Sequence, residues 1–374
     1  MQKTIIWLLI GSILVAGGVA AFVYRHAPHH PATHSLSRSA PTVQLSSSPT
    51  TTPSPAQSTS STSPSTSAFA PISLSSKNAP AAPLPQGVSP AAQPFDHILL
   101  IVMENTGYAA AIQNPTISAL MGDGESATSY YAITHPSLPN YLALTTGSTL
   151  GVTVDCWYCY QNTQNLGSQL TSHEISWSAY MQGLPSAGSL TPYDPQTDYA
   201  AKHDPFYYFT AIRQGSDRQN IVPLSDFSHL ITTHATTFPQ FMWVTPNLCY
   251  DGHDCSLSTA SQWLNNFITS IKTSALWQER PLVIVTWDEG NGADTTGVNS
   301  AGIVAAENGG GQVLTLFLSP CLAADQTIST PANHYSLLHT IEDIFSVPHL
   351  GKSPAGAGNS LLNDLAKHYT CSSS

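Results

Sequence analysis

The segment His-Pro-Ser-Leu-Pro-Asn-Tyr at 135–141 contains the residue best placed to do chemistry. It puts Ser137 where two prolines turn the chain and where residues 138–146 predict a helix that ends at Gly147. The first N–H groups of a helix lack partners within it and carry partial positive charge, so they attract anions. Ser137 is therefore either a helix N-cap or a nucleophile that attacks an anionic group, such as a phosphate, bound at those N–H groups.

Acidic and amide side chains follow three of the four apolar runs that predict buried strands. These runs lie at 98–103, 241–244, 282–287 and 313–318. Helix-like stretches at 261–273 and 335–345 alternate with them, which predicts an α/β fold, a three-layer sandwich with a mostly parallel central sheet. The polar groups that follow the first three strands are, in chain order, Glu104 and Asn105, then Asn247, Asp251 and His253, then Asp288 and Glu289.

Ligands of open parallel sheets bind beyond the carboxyl ends of the strands, so we expect these side chains to gather at one edge of the sheet. Oxygen ligands of this kind suit Mg²⁺, Ca²⁺ or Mn²⁺, and added imidazole admits Zn²⁺. Four histidines, His135, His203, His253 and His334, accompany these motifs. A single histidine more often makes a capping or core hydrogen bond, but histidines can also bind phosphate or transfer protons.

The first quarter of the chain differs from the rest in composition. An apolar run at 5–24, with Lys3 before it and Arg25 after it, is long enough to cross a bilayer, which makes residues 1–26 a signal peptide or a membrane anchor. Residues 27–93 are rich in Ser, Thr and Pro and contain no acidic residue, as in a disordered linker. Residues 94–374 form the predicted catalytic domain, which we expect to lie outside the cytoplasm, secreted or anchored through residues 5–24.

The predicted domain is strongly acidic. It keeps all 22 acidic residues of the chain but only seven of the 11 basic ones, so its formal net charge is −15. This charge argues against nucleic acid as a partner, because nucleic-acid binding needs a basic face.

The six cysteines fall into three groups that favour disulfides in an exported protein. Cys156 lies close to Cys159 in the sequence, Cys249 lies close to Cys255, and Cys321 and Cys371 remain. Other connectivities stay open, and a zinc site using Cys156 and Cys159 is the alternative.

These motifs, taken in order, resemble the bacterial and fungal phosphoesterase family of secreted acid phosphatases and phospholipases C, within the alkaline phosphatase superfamily. The matching segments are 103–105, 135–141, 199–206, 246–254, 286–290, and His334 with 341–343. The resemblance implies an alkaline-phosphatase-like fold and a metal-dependent phosphoester hydrolase that acts on phosphate monoesters through a phosphoserine intermediate. The implied substrates are phosphorylated small molecules or phospholipids.

The resemblance also implies a role for individual residues. Ser137 is the implied nucleophile, with His253 or His334 as the acid–base group. The implied metal ligands are Glu104, Asn105, Ser137, Asp288 and Glu289. The implied substrate-binding residues are His135, Asn140, His203 and Asp251. Two-zinc members of the superfamily have histidine in place of Glu289 and a wider spacing than that of Asp251 and His253. We therefore expect one divalent cation, with histidines replacing a second.

Three other functions remain as alternatives. The same scaffold carries phosphodiesterases, phospholipases C and sulfatases, although the arginine of the sulfatase motif is missing after Pro139. A serine esterase would need a G-x-S-x-G elbow, which Ser137 lacks. The linker would also suit a non-catalytic cell-surface binding module, but such a module has no need of a helix-start serine facing carboxylates.

Overall fold

The computed structural model describes residues 94–233, 235, 237–298, 304–305, 309–351 and 360–371. The predicted leader or anchor at 1–26 and the predicted linker at 27–93 lie outside these residues. Within the described ranges, no helix combines the length and the apolar character needed to span a bilayer.

The fold is built around a large sheet. In chain order the described strands are β1 (His97–Met103), β2 (Glu125–Ala127), β3 (Tyr130–Tyr131), β4 (Trp177–Met181), β5 (Tyr193–Asp194), β6 (Tyr199–Ala200), β7 (Ile221–Pro223), β8 (Phe241–Thr245), β9 (Pro281–Trp287), β10 (Gly297–Val298), β11 (Val304–Ala305), β12 (Thr315–Leu318), β13 (Gln326–Ile328) and β14 (Ala332–Asn333). Eight of them form one sheet in the order β13-β2-β12-β9-β1-β8-β4-β7. β12 is antiparallel to both neighbours, and the other pairs are parallel, so the sheet is mostly parallel.

Helices cover both faces of this sheet. They are α1 (Tyr108–Gln113), α2 (Pro115–Met121), α3 (Ser137–Thr146), α4 (Leu166–Ser172), α5 (Thr210–Gln214), α6 (Leu224–Thr232), α7 (Leu257–Lys272), α8 (His334–Ile344) and α9 (Leu362–Lys367), with 3-10 turns at Ala201–His203, Pro205–Tyr208, Ser216–Asn220 and Ala275–Glu279. Every residue of β9 and all but the first of β1 are buried, which requires a layer on each face. α3 packs with α8, and α2 packs with α7. The predicted three-layer α/β sandwich is confirmed.

The register of the two central strands fixes where the chemistry-bearing residues emerge. β1 and β9 run parallel, and Met103 at the end of β1 pairs with Trp287 at the end of β9. The next residues, Glu104 and Asp288, therefore leave the sheet side by side. β8 pairs with the other side of β1, so the loop after β8, which contains Asp251, reaches the same edge.

The predicted helices form with small shifts that their caps explain. α3 begins at Ser137 and ends at Gly147, whose φ of 67° is left-handed and suits glycine. α7 begins four residues before the predicted start, because the Ser256 side chain accepts from the Thr259 N–H. α8 begins at His334 beneath a capping box formed by Asn333 and Ser336.

Three disulfides tie down the loops. They join Cys156 to Cys159, Cys249 to Cys255 and Cys321 to Cys371, which confirms the grouping expected from the sequence. The alternative of a zinc site at Cys156 and Cys159 was wrong, because a zinc ligand is a free thiolate and these two sulfurs are bonded to each other.

Candidate active site

Four polar residues at the ends of β1 and β9, Glu104, Asn105, Asp288 and Glu289, form what we call the carboxylate cluster. The backbone N–H of Asn105 donates to Asp288 Oδ1 at 3.1 Å and so links the two strand ends. Asn105 has a φ of 52°, a left-handed conformation that asparagine tolerates better than most residues. Such conformations persist where the surrounding structure enforces them, often at functional sites.

Ser137 lies directly against this cluster. Its hydroxyl donates to Glu104 Oε2 at 3.1 Å, and Ser137 as a whole is only 2% exposed. One helical turn later the Tyr141 hydroxyl donates to Glu104 Oε1 at 2.6 Å. Residues four apart lie on the same face of a helix, so the start of α3 presents both hydroxyls to one carboxylate.

A histidine and an aspartate support Glu104 from the other side. His203 Nδ1 bonds Asp251 Oδ2 at 3.0 Å, and the His203 ring stacks on Tyr141. With Nδ1 donating, the neutral ring turns the lone pair of Nε2 toward Glu104 Oε1, 3.1 Å away. Two acceptors at this distance need a shared proton or a cation between them.

Burial and mutual repulsion dominate the electrostatics of the site. Burial, reinforced by the charges of Asp288 and Asp251, raises the pKa of Glu104 well above its usual value. Burial and the neighbouring Glu289 do the same to the pKa of Asp288, and burial raises the pKa of Asp251 to about 7. Burial and the charge of Lys202 hold the pKa of His203 well below its usual value.

The residues present fit a divalent cation. Asp288 Oδ2 is buried without a hydrogen-bond partner, and three carboxylates repel one another around it. Carboxylate and amide oxygens suit a hard cation. A second donor set, Glu104, His203 and His253, has ligand atoms within 4.8 Å of one another and adds imidazole nitrogen. Glu104 belongs to both sets, which makes it the central candidate ligand.

Opposite the carboxylates lies a second group, Asp155, Lys202 and His253, which we call the lysine cluster. Lys202 Nζ lies 2.8 Å from His253 Nε2 and 3.2 Å from Asp155 Oδ2. Asp155 Oδ1 accepts the backbone N–H of Leu138 at 3.0 Å, so a carboxylate occupies an N–H group at the start of α3. This cluster borders Ser137 but is a quarter exposed, unlike the three acids of the carboxylate cluster, which are buried.

His135 and Glu289 form a pair at the edge of the site. His135 Nδ1 bonds Glu289 Oε2 at 2.9 Å, and its Nε2 bonds the Asp294 carbonyl at 2.8 Å. The bond to Glu289 raises the pKa of His135 to about 9, which favours a protonated imidazole at neutral pH. One oxygen of Glu289, a predicted metal ligand, is thus engaged by a predicted substrate-binding residue.

Asn140 and His334 lie beneath the site rather than within it. The Asn140 side chain is buried and bonds the backbone of Ile133, Thr134 and Pro136, so it shapes the turn that presents Ser137. His334 bonds the Asp288 carbonyl through Nε2 and the Tyr130 hydroxyl through Nδ1. Burial lowers the pKa of His334 to about 4, which keeps it neutral.

Three site residues, Tyr141, Asp155 and Lys202, received no role from the sequence. The spacing of Tyr141 four residues after Ser137 is a signal that could have found it, once the helix was predicted. Asp155 and Lys202 are 47 residues apart, and no local pattern joins them.

The chain is similar to known phosphatases. A model of the Phosphoesterase family matches residues 113–348. A phosphatidylinositol-3-phosphatase of Mycobacterium tuberculosis is 31% identical over 274 residues, which cover 71% of this chain and 82% of that protein. A phosphate-repressible acid phosphatase of Penicillium chrysogenum is 28% identical over 268 residues, 70% of this chain and 62% of that protein. The chain spans about three fifths of the length of such fungal relatives.

Solved structures match less closely. A protein in the alkaline phosphatase superfamily from Vibrio parahaemolyticus superimposes with a TM-score of 0.46 at 12% identity, covering 71% of this chain and 69% of that one. At that score the likeness supports no conclusion about the site. The family match covers well over half of the chain and includes Ser137, Lys202, His253, Asp288 and His334. The chain belongs to the phosphoesterase family.

Proposed function

We propose that this protein hydrolyses phosphate monoesters through a covalent phosphoseryl intermediate on Ser137. The observation that carries the proposal is the position of Ser137. This residue begins a ten-residue helix, and its hydroxyl donates to Glu104, a buried member of the carboxylate cluster. A hydroxyl at that point can attack a phosphorus atom. The Leu138 N–H is taken by Asp155 and Pro139 has no N–H, so side chains and a bound cation would have to hold the phosphate oxygens. The relatives named acid phosphatase and phosphatidylinositol-3-phosphatase support the same reaction class.

The first step forms a bond between Ser137 Oγ and phosphorus and breaks the bond to the leaving alcohol. The serine proton is already directed at Glu104 Oε2, which is placed to accept it. The Tyr141 hydroxyl holds Glu104 in place through the other carboxylate oxygen. The leaving alcohol takes its proton from the Lys202–His253 pair. In the second step water gives a proton back to that pair as it attacks phosphorus, the Ser137–phosphorus bond breaks, and Glu104 returns the stored proton to the serine.

Glu104, Asn105 and Asp288 would hold one divalent cation, with Glu289 or His203 completing the set. When bound, the cation supplies positive charge that favours the serine alkoxide and stabilises the phosphoryl oxygens. This role also explains why several carboxylates are buried together at the point where an anionic substrate must bind.

The lysine cluster is proposed to supply the proton that the leaving alcohol needs. Both ring nitrogens of each histidine have a partner: His253 bonds Lys202 through Nε2 and Asp254 through Nδ1, and His334 bonds the Asp288 carbonyl and Tyr130. His253 is partly exposed, so an incoming ester could replace Lys202 at Nε2 and exchange a proton there, whereas His334 is fully buried and holds the Asp288 backbone. Of the two predicted acid–base residues, the geometry favours His253.

The proposed site of action is outside the cytoplasm. Three disulfides in a chain of this size are typical of proteins from oxidising compartments. The apolar run at 5–24 supports export, either as a cleaved leader or as an anchor.

The test compares turnover of p-nitrophenyl phosphate, bis-p-nitrophenyl phosphate and phosphatidylcholine by the wild type and by Ser137→Ala. We expect turnover of the monoester and its loss in Ser137→Ala with an unchanged melting curve. The control is Ser261→Ala, because Ser261 is an equally buried helical serine whose hydroxyl donates to the Ser258 carbonyl and to no carboxylate. Preference for the diester or for phosphatidylcholine would assign the same scaffold to a phosphodiesterase or a phospholipase C. Full activity in Ser137→Ala would exclude the serine mechanism.

A further inference from the structure

A short loop beside the nucleophile carries most of the exposed apolar side chains. Seven large hydrophobic residues are exposed in the described part of the chain, and four of them, Val154, Trp157, Tyr158 and Tyr160, fall within 154–160, which we call the aromatic loop. Trp157 is 60% exposed and Tyr158 is 70% exposed. Exposed hydrophobic residues scattered singly are normal, but a cluster of this kind marks a surface that contacts something.

The aromatic loop is held firmly at the mouth of the site. Near its start, Asp155 accepts the backbone N–H of Leu138, the residue after the nucleophile. A disulfide between Cys156 and Cys159 closes the tip. Just past its end, the Gln161 N–H donates to the Tyr208 carbonyl, and Arg213 stacks over the ring of Tyr160 at 4.0 Å. Whatever binds the tip is therefore brought next to Ser137.

The charges of the loop favour an apolar mode of binding. Residues 156–160 have the sequence Cys-Trp-Tyr-Cys-Tyr and no charged side chain. The one acid of the loop, Asp155, is already paired with Lys202 and the Leu138 N–H. The predicted domain carries a formal net charge of −15, so electrostatic attraction to an anionic surface is absent. Insertion at the tip would therefore not require a charge to leave water.

We propose that the aromatic loop inserts into the interfacial region of a zwitterionic phospholipid membrane and so presents membrane-borne phosphate monoesters to Ser137. Trp and Tyr are the side chains most favoured at that interface, because each has an apolar ring and a polar group. Four side chains are far fewer than the roughly 20 residues a side that a stable dimer buries. The inference rests on the proposed monoester hydrolysis and assigns its substrate to a membrane surface.

The experiment uses the full chain with vesicles of phosphatidylcholine containing a small fraction of phosphatidic acid, a lipid phosphate monoester. Turnover of phosphatidic acid is divided by turnover of soluble p-nitrophenyl phosphate. Trp157→Ser/Tyr158→Ser is expected to lower this ratio about tenfold with soluble turnover unchanged. Tyr193→Ser is the matched control, because Tyr193 is 51% exposed but lies outside the loop, and its ratio should stay at the wild-type value.

A second readout follows the position of residue 157 itself. Brominated phosphatidylcholine should quench tryptophan fluorescence in the wild type, and Trp157→Phe should lose a distinct part of that quenching. Because every other tryptophan is present in both proteins, the difference reports residue 157 even if residues 5–24 also bind the vesicle. High salt should leave the quenching unchanged, since the insertion is apolar.

The outcomes separate the two proposals. An unchanged ratio together with no quenching from residue 157 would overturn membrane docking and leave monoester hydrolysis standing. A loop variant that changes the mass of the particle in light scattering, with no effect on vesicles, would assign the loop to an interface between copies and also overturn it. Absence of turnover on both substrates with quenching intact would instead refute the proposed hydrolysis.

Discussion

The two sides of the candidate active site are built in different ways. The carboxylate cluster follows two central strands whose register is fixed over seven residue pairs, and its acids are almost fully buried. The lysine cluster draws its members from three separate segments, the loop at Asp155, the 3-10 turn at Lys202 and the loop at His253, and is a quarter exposed. The difference indicates a division of labour in which the buried side holds the nucleophile and a cation, and the exposed side meets the substrate and the leaving group.

The first prediction removes charge from the buried side. Asp288→Asn and Glu104→Gln should each lower kcat for p-nitrophenyl phosphate by roughly 1,000-fold, because several kcal/mol of charge stabilisation depend on a bound cation. The control is Glu125→Gln, which changes a buried carboxylate that bonds His368 and lies on an outer strand of the same sheet. An equal loss of kcat in Glu125→Gln would mean that neutralising any buried acid lowers turnover, and that the carboxylate cluster has no particular role.

Chelation tests the same side without a mutation. Dialysis against a chelator should abolish turnover, and adding back Mg²⁺, Ca²⁺, Mn²⁺ or Zn²⁺ one at a time should restore it with the metal that the oxygen and imidazole donors prefer. The bound metal is counted by elemental analysis, with one ion per chain expected. Full activity in a preparation shown by elemental analysis to hold no divalent metal would contradict the account of the buried side.

Lys202→Met tests the exposed side of the site, because it removes the lysine ammonium between Asp155 and His253. We expect kcat/KM for p-nitrophenyl phosphate to fall about 10- to 100-fold, since general acid–base and charge effects of one group are of this size. Lys272→Met is the control, because Lys272 pairs with Asp123 in a similar surface ion pair. If both lysine variants behave alike, the lysine cluster is only a surface ion pair.

Asp155→Asn should act in the opposite direction. The amide oxygen of asparagine can still accept the Leu138 N–H, but the negative charge beside the incoming phosphate disappears. KM for p-nitrophenyl phosphate should therefore fall by about threefold, which is the expected size of a partly screened surface charge. A raised KM would show that Asp155 serves mainly to orient Lys202.

The smallest effect concerns stability at a distance from the reaction. Burial raises the pKa of Glu342 to about 8, while its unfolded value is 4.5. The folded state therefore binds the proton more tightly, so stability is full below pH 4.5 and falls as pH rises toward 8. Glu342→Gln keeps an acceptor for the Leu350 N–H.

Denaturant melts of Glu342→Gln should show a gain of about 4 kcal/mol at pH 8 over the wild type and almost none at pH 4.5. Turnover of p-nitrophenyl phosphate should stay unchanged, since Glu342 touches none of the site residues. A gain of equal size at both pH values would show that the titration of Glu342 is not the cause.

The buried side could be predicted from sequence because its physical cause is local. β1 and β9 are continuous apolar runs, and Glu104 and Asp288 come directly after them. Tyr141 could be assigned to the site only after the helix was predicted, because helical periodicity places residue 141 on the same face as residue 137. The outer strands left no such signal: β2 has only three residues, Glu-Ser-Ala, and its buried acid is stabilised by His368, far away in sequence.

The exposed side could not be predicted, because its contacts depend on how loops close. Lys202 meets Asp155 only after the disulfide-closed loop folds back over the start of α3. The sequence also does not reveal that His334 is buried or that the side-chain amide of Asn140 hydrogen-bonds the turn before Ser137. In both cases the residue type predicted a polar role, and the packing decided which partner it would take.

The most direct test of the account is to trap the reaction on the nucleophile. The wild type is mixed with excess p-nitrophenyl phosphate, quenched in acid within milliseconds, digested and analysed by peptide mass spectrometry. The account predicts one added phosphoryl group on Ser137, absent from Ser137→Ala and from protein quenched without substrate. Steady turnover with no phosphoryl group on Ser137, or with the group on another residue, would contradict it.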